Sequence, residues 1–194
     1  MRDFRVEEAD GSFVLPLEGF VCTEVRGSDL ILRRVDSTDE SWVSGTDIGE
    51  GVARQLVERG ARVSRAVVTR DSTLQIDFDD GVAVVNPPAD DVEAWEVRGP
   101  GHVLVVALPG GGEPAVWDST SEIRVVHPGD PLPKGLVRMI ESFGFPIPTG
   151  EFELRCTRGA RRSFELHPPN APVLSRSEIV RFYDTESEAK ESEG

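Results

Sequence analysis

The stretch "DFDDGVAVVNPPADDVEAWEVRGP", residues 77–100, gathers Asp77, Asp79, Asp80, Asp90, Asp91, Glu93 and Glu96 around one tryptophan, Trp95. So many carboxylates in one short stretch are the raw material of a hard-cation site or an acid–base pair. A Ca²⁺ site needs about six to eight oxygens converging from a loop. The spacing here is not that of a D-x-[DN]-x-[DN]-G loop with its downstream glutamate. Asp77 and Asp79 fall on the outer face of an alternating run, and Asp80 falls in the turn after it. Asp90 and Asp91 follow "PPA" as a polar turn into the next strand. Glu93 is different. Period-two alternation puts Glu93, Trp95 and Val97 on one face and Ala94, Glu96 and Arg98 on the other. A carboxylate beside a core tryptophan is either at a sheet edge or buried with a partner, because burial without a cation or donors is costly. Glu93 is therefore the candidate buried acid, and Trp95 the wall of any pocket next to it.

The second cluster is basic. Arg155, Arg158, Arg161 and Arg162 surround a predicted hairpin turn, "TRGAR". Guanidinium forks at such a turn suit an anionic ligand or a partner's carboxylates. The alternative is pairing with the protein's own surplus of acids. His102, His127 and His167 lack the spacing of a metal-binding H-E-x-x-H helix. There is no G-x-S-x-G elbow. "PGGGEP" lacks the G-K-[ST] ending of a phosphate loop. Cys22 and Cys156 have no C-x-x-C spacing and read as free, buried thiols. No catalytic residue, metal ligand or cofactor is assigned.

These residues sit on a chain with β-type patterning. "ARVSRAVVT" (61–69) puts Val63, Arg65 and Val67 on one face. "TLQIDF" (73–78) turns Leu74, Ile76 and Phe78 inward, and "DDG" then predicts a hairpin into "VAVV", because glycine accepts the positive φ of a tight turn. "EAWEVRG" and "HVLVVAL" read as the next strands, the second apolar on both faces and so placed centrally. "AVWD" is a short strand. Upstream, "SFVLPL", "FVCTEV", "DLILRR" and "ESWVSG" read as strands. Residues 46–60 predict one helix, capped by Thr46 or Asp47, with Ile48, Val52 and Leu56 on a face and Gly60 as its stop. Val21, Val25, Asp29 and Leu32 precede Val63, Val67, Asp71 and Leu74 by 42 residues. That offset fits a diverged β-repeat and equally fits coincidence in valine-rich strands.

After Asp118 the texture changes. "HPGDPLPKG" reads as a connector and "LVRMIESFG" as an amphipathic helix with Leu136, Val137, Ile140 and Phe143 on a face. "EFELRC" and "RSFELH" alternate as a hairpin, and "SRSEIVRFYD" reads as a short helix. The expectation is a β-dominated α+β protein, an antiparallel sheet of short hairpin-connected strands with two or three short helices. A β-rich domain would occupy residues 1–118, a helix and hairpin packed on it 119–184, and a disordered acidic tail 185–194.

Residues 56–118 resemble an uncharacterised family of small, acidic, mainly actinobacterial proteins, defined only as a domain of unknown function. The shared pattern is G-x-x-V (60–63), L-x-I-x-F-D-D-G (74–81), the Pro87–Pro88 link, E-A-W-E-V-R-G (93–99), L-P-G-G (108–111) and A-V-W (115–117). The resemblance implies a β-rich fold and transfers no catalytic residue.

The chain has 194 residues and a formal net charge of −14. Such a surface repels nucleic-acid phosphates and anionic membranes and favours a basic protein partner. The N-terminus has no apolar signal-peptide core, and no apolar run approaches the roughly 20 residues of a membrane span. A cytoplasmic location is the expectation. The leading functional expectation is a non-enzymatic protein-interaction module, such as an immunity-type partner that neutralises a basic effector. The alternative is a small-molecule or anion-binding domain using Trp95 or the arginines at 155–162.

Overall fold

Alternating apolar runs punctuated by glycine and aspartate can bury one face only by pleating against each other, and the chain does so in three antiparallel sheets. In the computed structural model it divides into two compact units, Met1–Ser119 and Thr120–Gly194. The structure describes residues 4–118, 121–147, 149–157, 163–167 and 180–183, with backbone alone at 102 and 180–183.

The first unit runs β1 (Glu7–Ala9), β2 (Ser12–Val14), β3 (Phe20–Arg26), β4 (Asp29–Arg34), β5 (Glu40–Ser44), α1 (Glu50–Arg59) and β6 (Val63–Thr69). It continues through β7 (Leu74–Phe78), β8 (Ala83–Asn86), β9 (Glu96–Arg98), β10 (Leu104–Val106) and β11 (Ala115–Trp117). One sheet has the order β1-β2-β6-β7-β8 and the other β11-β10-β9-β5-β4-β3. A shared core joins them: Leu74 and Ile76 of the first sheet cluster with Leu30, Leu32, Trp95 and Val97. The backbone also stitches β3 to the start of β6, through Cys22 N–H to Ala61 O (2.9 Å) and Gly19 N–H to Val63 O (2.9 Å).

The predicted hairpin forms around a three-residue loop. Gly81 donates to Phe78 O, Phe78 donates to Val82 O, and Gly81 has φ 84°. This is the type I turn with a left-handed glycine that such loops favour. A second Asp-Gly turn, Asp10 (φ 50°) and Gly11 (φ 74°), closes the β1–β2 hairpin, which the sequence reading had not resolved. β10 lies between β9 and β11, one strand from the sheet edge, and all three of its residues are buried. The helix is shorter than its pattern. It begins at Glu50 after Gly49, with no side-chain cap, so neither Thr46 nor Asp47 serves as one. It ends on Gly60 in the left-handed region (φ 57°), where glycine avoids the Cβ clash. Only Leu56 is buried within it; Val52 is exposed.

β6 departs from simple alternation. A bulge between Val63 and Arg65 interrupts its pairing with β7. Val63, Ala66 and Val68 join the core, while Ser64 and Arg65 are both exposed. Arg65 thus does not share a buried face with Val63. β3 carries a like bulge between Cys22 and Glu24. In both, the bulged residue's hydroxyl donates to the carbonyl of the facing strand: Thr23 Oγ1 to Ile31 O (3.3 Å) and Ser64 Oγ to Asp77 O (3.0 Å). Matching the bulges aligns Cys22 with Val63, one residue off the 42-residue offset. A one-residue slip reverses every side chain, so the sequence offset is not the structural register.

In the second unit, β12 (Glu122–Val126), β13 (Phe152–Cys156), β14 (Ser163–His167) and β15 (Val180–Tyr183) pair in that order. The helix α2 (Lys134–Ser142) buries Leu136, Met139 and Ile140 in a cluster with Phe152, Leu154, Phe164 and Leu166. Met139 takes the place expected for Val137, and Phe143 is exposed. The expected β13–β14 hairpin forms, with Leu154 opposite Leu166. β12 falls where the sequence pattern assigns no element, and residues 180–183 form a strand rather than part of a helix. The acidic tail lies outside the described residues.

Two side-chain environments give direct tests. Burial pushes the Cys22 thiol up to about 11, against a smaller opposing effect from its contact with Glu24 O. The thiolate is the nucleophile. Cys22 should therefore resist iodoacetamide in the folded protein at pH 8 and react once urea unfolds it, as peptide mass spectrometry will record. Glu40 is held below its ordinary value of 4.5, first by the Trp42 indole N–H (2.6 Å) and then by Arg33 (2.7 Å). A depressed carboxyl contributes stability above its unfolded value that is lost as pH falls through the folded one. Tryptophan fluorescence should therefore show an acid transition below pH 4.5 that disappears in Glu40→Gln.

Candidate functional site

Six of the seven acids of the opening stretch separate into two groups. Asp77, Asp79 and Asp80 bind groups of their own hairpin and of the adjacent α1 and α1–β6 link. Asp77 Oδ1 accepts from Gln75 Nε2 (2.8 Å), and Asp79 Oδ1 accepts from the Arg62 N–H (3.0 Å). Asp80 accepts from the Val82 N–H (3.1 Å) and from Gln55 Nε2 (3.3 Å) on α1, with Arg59 Nη1 4.0 Å away. The second group lies on the irregular segment 87–95 that crosses from β8 of one sheet to β9 of the other. There Asp90, Asp91, Val92 and Glu93 are all exposed, Val92 to 60%. Both ends of the segment are fixed. Ala89 O accepts from Gly110 N–H (2.9 Å), and Trp95, only 2% exposed, donates from Nε1 to Ser72 O (3.0 Å). Among the described residues, no three His, Cys, Asp or Glu side chains are grouped to hold a metal ion.

Glu93 is therefore not the buried acid. β9 begins only at Glu96, and it is Glu96 that is buried, at 4% exposure, with Oε1 2.6 Å from Arg98 Nε. Trp95 and Val97 share a face and enter the core. Glu93 precedes the strand and is exposed, so the alternation does not extend to it. Trp95 is a core side chain with almost no surface to offer a ligand. Arg155 is half-buried and paired with Glu153 Oε1 (2.6 Å) on its own strand. Arg158, Arg161 and Arg162 lie outside the described residues. His127 Nδ1 sits 3.0 Å from Glu151, and His167 Nε2 sits 2.7 Å from Glu165.

The structure adds a site that no local motif marks. A cleft of about 520 Å³ opens where the N-terminal segment, the 14–19 turn, the end of β4 and the β6 bulge meet. Arg5, Arg34 and Arg65 line it, with Glu7, Glu18 and Ser64. Its apolar wall is Phe4, Val14, Leu15, Pro16 and Ala66. The size is that of a small-molecule pocket. The bulge is what places Arg65 here, because it turns two consecutive residues, Ser64 and Arg65, to the same outer surface.

A family model described as a family of unknown function, DUF6188, matches residues 12–118, more than half of the chain. The chain belongs to the DUF6188 family. No curated protein and no solved structure matches it. The DUF6188 region extends well upstream of the 56–118 pattern, taking in β2 to β5 and α1. It holds the acidic 87–95 segment and most of the cleft, including Arg34 and Arg65; Arg5 and Glu7 precede it. Residues 119–194 fall outside the match. Among the described residues, no helix is long and apolar enough to cross a membrane.

Proposed function

We propose that the protein is a non-enzymatic interaction module that takes a basic protein partner on the exposed 87–95 segment. It would act in the cytoplasm of an actinobacterial cell, in the manner of an immunity-type protein neutralising a basic effector. The observation that carries the reading is that segment: three exposed acids and an exposed valine on a backbone tied down at both ends. A pre-ordered loop loses little entropy on binding, and acids around an apolar contact suit a basic, amphipathic surface. Charge distribution adds support. Residues 1–118 carry 23 acids against 11 arginines, whereas 119–194 carry 12 against 10 basic residues. The acidity is thus a property of the DUF6188 unit. The test is capture by the immobilised full chain from lysate of its own host at low and high salt. A basic protein retained at low salt and released at high salt is expected; a salt-indifferent catch, or none, overturns the proposal.

A second reading, an anion-binding domain, draws support from Arg5, Arg34 and Arg65 in the cleft rather than from Trp95 or Arg155.

A further inference from the structure

Half of the ten described arginines of the first unit pair with carboxylates. Of the seven described ones outside the cleft wall, five pair: Arg26 with Glu24, Arg33 with Glu40, Arg59 with Asp80, Arg70 with Glu8 and Glu113, and Arg98 with Glu96. The three that line the cleft show no ion pair among the described residues, although Glu7 and Glu18 line the same cleft. In a chain of net charge −14, what stands out is that three guanidiniums line one concavity. Arg34 is further constrained, its Cζ lying 5.8 Å from the centre of the Phe20 ring.

From this we infer that the cleft binds a small amphipathic organic anion, whose single phosphate or carboxylate head meets Arg5, Arg34 and Arg65 while its apolar body lies on the cleft wall. The inference rests on the anion-binding reading and specifies its ligand class. Guanidinium forks match the oxygens of either head group, and each such contact is a charge-assisted hydrogen bond. Phe4, Leu15, Pro16 and Ala66 supply the surface for an apolar body, which a bare inorganic ion would leave unused. Glu7 and Glu18 limit the charge. Two carboxylates in the same wall repel a second anionic group, so polyphosphates and nucleic-acid backbones are disfavoured.

The experiment is an NMR titration of the full ¹⁵N-labelled chain with phenyl phosphate, benzoate, inorganic phosphate and benzyl alcohol. Phenyl phosphate or benzoate should shift the amides of Leu15, Arg34, Ser64, Arg65 and Ala66. It should bind at least about tenfold more tightly than inorganic phosphate, and benzyl alcohol should leave the spectrum unchanged. The tighter of the two aromatic anions identifies the head group. Arg5→Gln/Arg65→Gln alters two exposed side chains and should weaken binding by about tenfold or more, the scale of losing charge-assisted contacts. Arg34→Lys provides a second variant that keeps the charge and loses the fork. Equal binding by the double variant, or shifts confined to other residues, overturns the site. Inorganic phosphate binding as tightly as phenyl phosphate overturns the amphipathic class and leaves the anion-binding reading standing. Silence from all three anions overturns both.

Discussion

Gly45→Ala is expected to destabilise the first unit by about 3 kcal/mol, a large share of a small domain's stability. Two effects add. Gly45 has φ 79°, a left-handed conformation that an L side chain adopts only under strain. A Cβ there would also sit 2.2 Å from the Ala94 carbonyl oxygen and 2.9 Å from Trp95 Cα. Both obstacles are backbone, so neither can swing aside, and β5 would have to separate from the segment leading into β9. Urea unfolding followed by tryptophan fluorescence gives the number. Gly51→Ala is the matched control. It lies within α1 with nothing within 4 Å of its Cβ position, and should stabilise by about 0.8 kcal/mol through helix propensity alone. A loss from Gly45→Ala no larger than ordinary surface substitutions give would mean that the β5–β9 approach is looser than described.

Trp95→Ala should be the more damaging change, at about 3–5 kcal/mol, because it empties a large space in the core both sheets share. It also removes the anchor of the acidic segment, the indole N–H on Ser72 O. Ser72 is itself in the left-handed region (φ 62°), and its hydroxyl donates to Gly112 O (2.6 Å). The tryptophan thus ties together two loops as well as two sheets. Trp95→Phe separates the roles. It retains most of the packing and loses the hydrogen bond, so it should cost about 1–3 kcal/mol. Thermal melts of the three proteins will order them, and exchange of the 89–94 amides should quicken in both variants. Amides that stay equally protected in Trp95→Ala would show that the segment does not depend on the indole.

Local chemistry made much of this legible. Asp-Gly followed by an apolar run gave the β7–β8 hairpin, Gly60 gave the end of α1, and the alternation of 152–156 and 163–167 gave their hairpin. What escaped was set by non-local geometry. Glu93 and Glu96 lie three residues apart, one before β9 and one inside it, and which of them is buried depends on where the strand begins and how its second face is covered. The bulge at Ser64 left one trace, an arginine between two valines on a supposedly buried face; that local conflict was a signal against simple alternation. The cleft left none, since Arg5, Arg34 and Arg65 come from three separate segments and meet only when β6 lies beside the 14–19 turn. The helical reading of 175–184 failed at 180–183, where pairing with β14 overrides a weak local preference.

The most direct measurement is the affinity of the partner recovered by salt-sensitive capture, titrated calorimetrically against the wild-type chain and against Asp90→Asn/Asp91→Asn/Glu93→Gln. Neutralising three exposed acids should weaken binding by about tenfold or more at low salt and flatten its dependence on ionic strength. Undiminished affinity and an unchanged salt slope would contradict the assignment of residues 87–95 as the binding surface.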